Sequence, residues 1–261
     1  MQEILPKLGY RWPGFRKVRS QVCRRIHRRM QELDINSYEK YNNYIRDHAD
    51  ELIILDRMLD ITITRFWRDR GVFELIGKKV FPDLISSARR ENRTHLHCWS
   101  AGCCNGEEAY SLLLLWHVRL APENMHLRIT ATDRNETVLE RARKGFFPEG
   151  VLRDVPIDIV NAGFDKSNSG YTIKKHYVDK VRFVQQDIRH EIPEGHFDII
   201  LCRNLVFTYF DTPVRDTIMS KILSRLRQGG YFIIGSNEQL SPKYVPLKQI
   251  KKGEPVYRYR P

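Results

Sequence analysis

No stretch of this sequence approaches the roughly 20 consecutive apolar residues that a membrane-spanning helix needs, so no membrane insertion is expected. The opening MQEILPKLGYRWPGFRK lacks an apolar signal-peptide core and a small-residue cleavage site, and a cytoplasmic protein is expected. CxxC pairs, HExxH and other metal-ligand spacings are missing and the nine histidines are scattered, so no metal site is expected. Cysteines are few and odd in number: Cys23, Cys98, Cys103, Cys104 and Cys202. Cys103 and Cys104 are adjacent, a poor geometry for a mutual disulfide, and all five read as reduced thiols. Internal repeats and low-complexity tracts are also absent, as is the GxGxxG loop of dinucleotide sites.

What is present in excess is positive charge, and it is unevenly spread. The net charge is +12, and the first thirty residues hold nine cations against Glu3 alone. From Lys243 to Arg260 there are six more cations against Glu254, so the middle of the chain is close to neutral. Such ends attract an acidic partner or else are merely solvated. Val18, Val22, Ile26 and Met30 recur every fourth residue with arginines opposite, which predicts a basic amphipathic helix from Gly14 to about Met30. Asn36 and Ser37 offer a cap for a second helix over 38–47, and Leu52, Leu55 and Leu59 mark a third over 50–59. Residues 1–70 thus read as a small all-helical domain. Residues 71–93 read as a linking helix over 73–84, interrupted before Pro82, and a polar linker from Ser86 to Arg93.

Beyond Thr94 strands alternate with helices. Strands are expected over 96–101, 127–132, 171–173, 181–184, 197–202, 231–235 and 255–259. Helices are expected over 106–119, 136–144 and 212–227, the last closed by Gly229 and Gly230 as a C-cap. This alternation predicts an α/β domain over 94–261: a mostly parallel, Rossmann-like sheet with helices on both faces and a short β insertion near 164–184.

The strongest local signal is HLHCWSAGCCNGEEAYS, a strand, a loop with Gly102 and Gly106, and a helix. The glycines let the backbone approach a ligand, while Glu107 and Glu108 at the helix start repel a pyrophosphate. That favours a cationic cofactor with an amino-acid tail, S-adenosylmethionine, over NAD. Glutamates that merely compensate the helix dipole are the plainer alternative. Asp133 ends the strand RITATD, where a carboxylate accepts from both ribose hydroxyls; a helix cap is the alternative there. Asp187 in VRFVQQDI can receive an adenine amino group, and FDIILCRNL delivers Arg203 and Asn204 to the same edge. Each signal is weak alone, but four strand ends in order are stronger.

These residues also carry a family resemblance. TITRFWRD resembles the linking motif Tx(F/Y)(F/Y)RD of the CheR-type chemotaxis methyltransferases, and GCCNGEEAYS resembles their loop G(C/A)(S/A)xGEEPYS. ATDRNETVLERARKGFF, CRNLVFTYFD and IIGSNEQL are similar to ATDIDxxVLxxAxxGxY, CRNVxIYFD and GxSExL, and the residues from Gly14 to Ile45 resemble the helical domain. The resemblance implies a class I methyltransferase fold and methyl transfer from S-adenosylmethionine, which leaves S-adenosylhomocysteine, to glutamate side chains of chemoreceptors. It implies that Thr64 and Arg68 bind the cofactor tail or orient the acceptor, Glu107 the ammonium and Asp133 the ribose. It further implies that Asp187 and the Ile188 backbone meet adenine, that Gly102 shapes the cofactor loop, and that Asn204 and Arg203 line the crevice. Tyr209 falls near the acceptor; Arg68, Arg203 and Tyr209 are the catalytic candidates. The basic helix would dock on an acidic helical bundle, and a monomer that binds no nucleic acid is expected.

Three departures stand out. CRNLVFTYFD has one residue more before its tyrosine, ATDRN replaces ATDID, and FDKSNSGYTIKKHYVDKVRF is shorter than the family's hairpin insertion and lacks its GxG, which implies a form independent of a receptor's tether peptide. A glutamate acceptor, with a pKa of about 4.3, is already ionised at neutral pH. Alignment is then the enzyme's task, with no general base. Beside this reading stand a methyltransferase with a small-molecule or RNA acceptor, and an inactive S-adenosylmethionine-binding module.

Overall fold

A computed structural model describes residues 4–120 and 122–261. The chain divides into two compact units. One runs to Ile61 and takes in Thr208–Arg215; the other comprises Thr62–Phe207 and Asp216–Pro261. The first therefore ends short of the residue-70 boundary expected from sequence and recruits a distant piece of chain.

In the first unit the helix Arg19–Glu32 buries Val22, Ile26 and Met30, three of the four stripe positions read from their spacing. Val18 lies half-buried in a preceding 3-10 turn, so this helix starts later than the expected Gly14. Ser37 caps the helix Tyr38–Asp47 by accepting from the Lys40 amide at 3.2 Å. The helix Ala49–Met58 carries Glu51, which is 2% exposed and accepts from Arg29 at 2.9 Å and from the Tyr41 hydroxyl at 2.8 Å. Arg25 donates to the carbonyls of Met58 and Asp60. Two cations of the basic helix are thus spent holding the unit together, while Arg16, Lys17, Arg19, Arg24 and Arg28 stay exposed. The returning segment pairs Phe210 with Tyr10, their rings stacked at 5.0 Å, and the Tyr209 carbonyl accepts from the Arg11 amide at 2.8 Å.

The second unit is α/β. Its strands are β1 (His95–Ala101), β2 (His126–Asp133), β3 (Phe146–Phe147), β4 (Phe164–Ser167), β5 (Gly170–Ile173), β6 (Val181–Gln185), β7 (Phe197–Leu201), β8 (Leu226–Ile233), β9 (Leu247–Gln249) and β10 (Val256–Tyr259). Seven of them form a sheet in the order β6-β2-β1-β7-β8-β10-β9, parallel from β6 through β8 and antiparallel on either side of β10. All five residues of β7 are buried, as a central strand covered on both faces requires. The insertion is a separate sheet in the order β3-β5-β4. It starts earlier than expected, at Phe146, and β6, read as part of it, is instead an edge strand of the main sheet.

Two further expectations are corrected. Residues 86–93 are no linker: helix continues through Phe81–Arg90, burying Phe81, Leu84, Ile85 and Ala88 and leaving only its polar face to solvent. Pro82 is accommodated because the preceding turn, Ile76–Val80, is a wider π-turn, which spares the ring a clash with the chain behind it. The Gly229–Gly230 pair does not cap the last helix, which ends at Arg225. It lies in a register shift of β8 against β7, where a Cβ on Gly230 would come within 2.9 Å of the Asp198 carbonyl oxygen. Among the described residues no helix is long and apolar enough to cross a membrane.

Candidate functional site

The order of the sheet reverses between β1 and β7, and open α/β sheets bind ligands beyond the carboxyl ends of strands at such a point. There β1 leaves through the loop 102–106, in which Gly102 (φ 72°), Cys104 (φ 51°) and Gly106 (φ 88°) are left-handed. A Cβ on Gly102 would sit 2.7 Å from the tip of the Leu205 side chain, which must swing aside, and it is the left-handed φ that calls for glycine. The turn brings the helix Glu107–Leu114 back over the sheet edge. The amides of Gly102 and Cys103 donate to the Thr132 carbonyl at 2.8 and 3.0 Å, and that of Gln186 to the Asp133 carbonyl at 3.0 Å. Strand ends β1, β2 and β6 are laced together in this way.

Glu107 is 2% exposed. One carboxylate oxygen accepts from Asn105 at 3.3 Å, and the other is buried with no partner in the protein. Burial pushes its pKa up to about 7. Asn105 Oδ1, Gln186 Oε1 and Asn204 Oδ1 are likewise buried and unpartnered. Four buried acceptors without donors along one edge call for a ligand rich in N–H groups and positive charge, since such atoms are costly to leave unsatisfied. S-adenosylmethionine, with its ammonium, adenine amino group and ribose hydroxyls, meets that requirement.

Asp133 accepts from the Cys104 amide at 2.9 Å and the Asn135 amide at 3.0 Å, which fixes its carboxylate at the tip of β2. Asn204 follows β7 in a left-handed conformation (φ 55°). Glu238 Oε2 accepts from the Asn204 amide at 2.8 Å and the Gly235 amide at 2.7 Å, and a Cβ on Gly235 would lie 2.5 Å from the Asn204 side-chain nitrogen. Ile188 is buried beside Asp187, while Thr64 and Arg68 are half-buried in the segment leading to the helix at Arg70.

Three expected roles meet a different geometry. The Asp187 carboxylate is engaged by the Arg189 side chain and backbone. Burial opposes its ionisation, but Arg189 and Arg134 outweigh burial and hold it below the usual carboxylate range. Arg203 does not present its guanidinium to a crevice. It donates to Glu108 at 3.1 Å, Asp69 at 2.6 Å and the Arg68 carbonyl at 2.8 Å, so its charge is already matched. Tyr209 belongs to the helical unit, where its ring packs 4.9 Å from that of Phe15. Sequence reasoning missed Asn105, Gln186 and Glu238, and the partner roles of Asp69 and Glu108. All five lie inside quoted motifs; for Asn105, Gln186 and Glu238 a polar residue beyond a strand end was the available signal, and for Asp69 and Glu108 an acidic residue at a helix start.

Residues 62–254 match the family model described as CheR methyltransferase, SAM binding domain, and residues 17–58 match CheR methyltransferase, all-alpha domain. Chemotaxis protein methyltransferase 2 of Pseudomonas aeruginosa is 28% identical over 267 residues, 98% of this chain and 91% of that one. The chemotaxis protein methyltransferase of Listeria innocua is 28% identical over 206 residues, 78% of this chain and 76% of that one. An uncharacterized 104.1 kDa protein of Rhodobacter capsulatus is 30% identical over 221 residues, 84% of this chain, but the chain spans only 23% of that relative's length. The chain belongs to the CheR family of S-adenosylmethionine-dependent methyltransferases.

Proposed function

We propose that this enzyme methylates glutamate carboxylates on the cytoplasmic helices of a chemoreceptor, and so works in the cytoplasm. The carrying observation is the buried, half-unpartnered Glu107 carboxylate at the helix start, in a chain similar along nearly its whole length to a chemotaxis protein methyltransferase. Glu107 takes the cofactor's ammonium group, Asp133 the ribose hydroxyls, and Asn204 closes the rim. Gln186, whose buried oxygen lacks a partner, serves the adenine amino group better than the Arg189-bound Asp187. When bound, S-adenosylmethionine supplies an electrophilic methyl group.

The acceptor carboxylate is ionised at neutral pH and needs no base. Arg68 is only half-buried, so it orients that carboxylate without the tight bidentate pairing that would blunt it. Exposed Arg19, Arg24 and Arg28 suit an acidic helical surface. Incubation of the full chain with methyl-labelled cofactor and a soluble chemoreceptor cytoplasmic fragment tests the reading. Base-labile label on the fragment is expected; label that enters only RNA or a small molecule overturns it.

A further inference from the structure

Arg203 follows β7 with its side chain 3% exposed. Its guanidinium lies 5.7 Å from the Phe73 ring centroid and spans Glu108, Asp69 and the Arg68 carbonyl. Glu108 is itself anchored by the Ser100 hydroxyl at 2.7 Å. The residues on either side of Arg68 are unusual: Trp67 has φ 53° and Asp69 φ 61°, and neither is glycine. Aspartate visits this region fairly readily, but a tryptophan holds it only where its surroundings over-determine it. Here the Phe66 amide donates to the Val151 carbonyl at 3.1 Å, and the Trp67 amide to the Ser111 hydroxyl at 3.1 Å. The Val72 amide donates to the Asp69 carbonyl at 2.8 Å and the Trp67 ring stacks on Phe73 at 5.1 Å, while Arg203 supplies a tie to the end of β7.

Resting on the methyl-transfer reading, we propose that Arg203 is a positioning residue that straps the strained Trp67–Asp69 turn to the sheet and so fixes where Arg68 is presented. Only a planar fork with several donors reaches three acceptors on two elements; a lysine ammonium at the same place cannot. Asp69 and Glu108 are then the strap's two anchors, and none of the three touches the acceptor.

The test compares wild type, Arg203→Lys, Asp69→Asn and the double variant in the full chain. Calorimetric titration with S-adenosylmethionine should still give saturable binding, because Glu107, Asp133 and Asn204 lie outside the strap, and complete loss of binding overturns the proposal. Amide exchange over residues 66–69 should quicken at least about tenfold, with β1 and β7 unchanged. Turnover of the chemoreceptor fragment should drop at least about tenfold in Arg203→Lys and less in Asp69→Asn, which leaves the bond to the Arg68 carbonyl in place. It should drop no further in the double variant, since one strap cannot be cut twice. Unchanged exchange in Arg203→Lys overturns the proposal. So does a lower acceptor KM in Asp69→Asn, which is what freeing an acceptor-binding guanidinium would produce. Asp69→Asn keeps an acceptor oxygen and gives a readout even where Arg203→Lys fails to fold. If wild type leaves the fragment unmethylated, the acceptor reading fails, and the exchange comparison still decides this one.

Discussion

Glu107→Gln separates cofactor binding from stability with effects of opposite sign. In the ligand-free protein burial holds the Glu107 pKa at about 7. The ammonium of the cofactor pairs with the ionised form, so binding on the acid side carries the cost of deprotonation. Between pH 7.5 and 5.5 the ionised fraction falls from about three quarters to about 3%, which predicts a roughly 25-fold weaker Kd, or about 2 kcal/mol. The cofactor's own amino group, titrating near 8, limits affinity only above this window. For stability, a raised carboxyl pKa means that the fold holds its proton longer than the unfolded chain does. This contribution is fully present below the ordinary value of 4.5 and is lost as pH rises through about 7. The gap corresponds to about 3 kcal/mol of stability absent at pH 8. Glu107→Gln removes that pH dependence, and at about 2–4 °C per kcal/mol the ligand-free Tm at pH 8 should rise by several degrees. Calorimetric titration and thermal unfolding across pH 5.5–8 check both. A lower Tm at pH 8, or a cofactor affinity flat with pH in wild type, refutes the reasoning.

Gly102→Ala forces a Cβ against Leu205 at a left-handed φ, and should cost about 1–2 kcal/mol. Its Kd for S-adenosylmethionine should rise by calorimetry, and an unchanged Kd would count against the loop as cofactor site. Arg29→Met leaves the buried Glu51 carboxylate with only the Tyr41 hydroxyl of its two side-chain partners, at a cost of about 3 kcal/mol. Faster amide exchange should then be seen in the first unit's helices, with the sheet unaffected; uniform exchange throughout would contradict the two-unit division.

The alternation of strands and helices was legible because β1, β2, β6 and β7 are short apolar runs punctuated by glycine and acidic residues. The stripe of Val22, Ile26 and Met30 was equally plain. The helix through Arg90 was hidden by composition: Ser86, Ser87, Arg89 and Arg90 read as a linker until Ile85 and Ala88 are counted on one face. Site residues were legible as positions on strand ends, but not as partners. The pairing of Asp187 with Arg189, two residues on, was within reach of a local reading. Nothing local says that Arg203 reaches across 134 residues to Asp69, because ion pairing between distant segments is decided only after the chain has folded.

Thr208–Arg215 completes the helical unit, although some 150 residues separate it from Ile61. During synthesis the first helices therefore wait, their Tyr10 edge uncovered, until the strands through β7 have left the ribosome. A fragment cut after residue 61 lacks the Phe210 ring and the Tyr209 carbonyl that Tyr10 and Arg11 meet. The basic module is thus no transferable cassette: grafting it onto another protein means carrying along a second stretch of sequence and closing a long loop, at an entropic cost of about 4 kcal/mol.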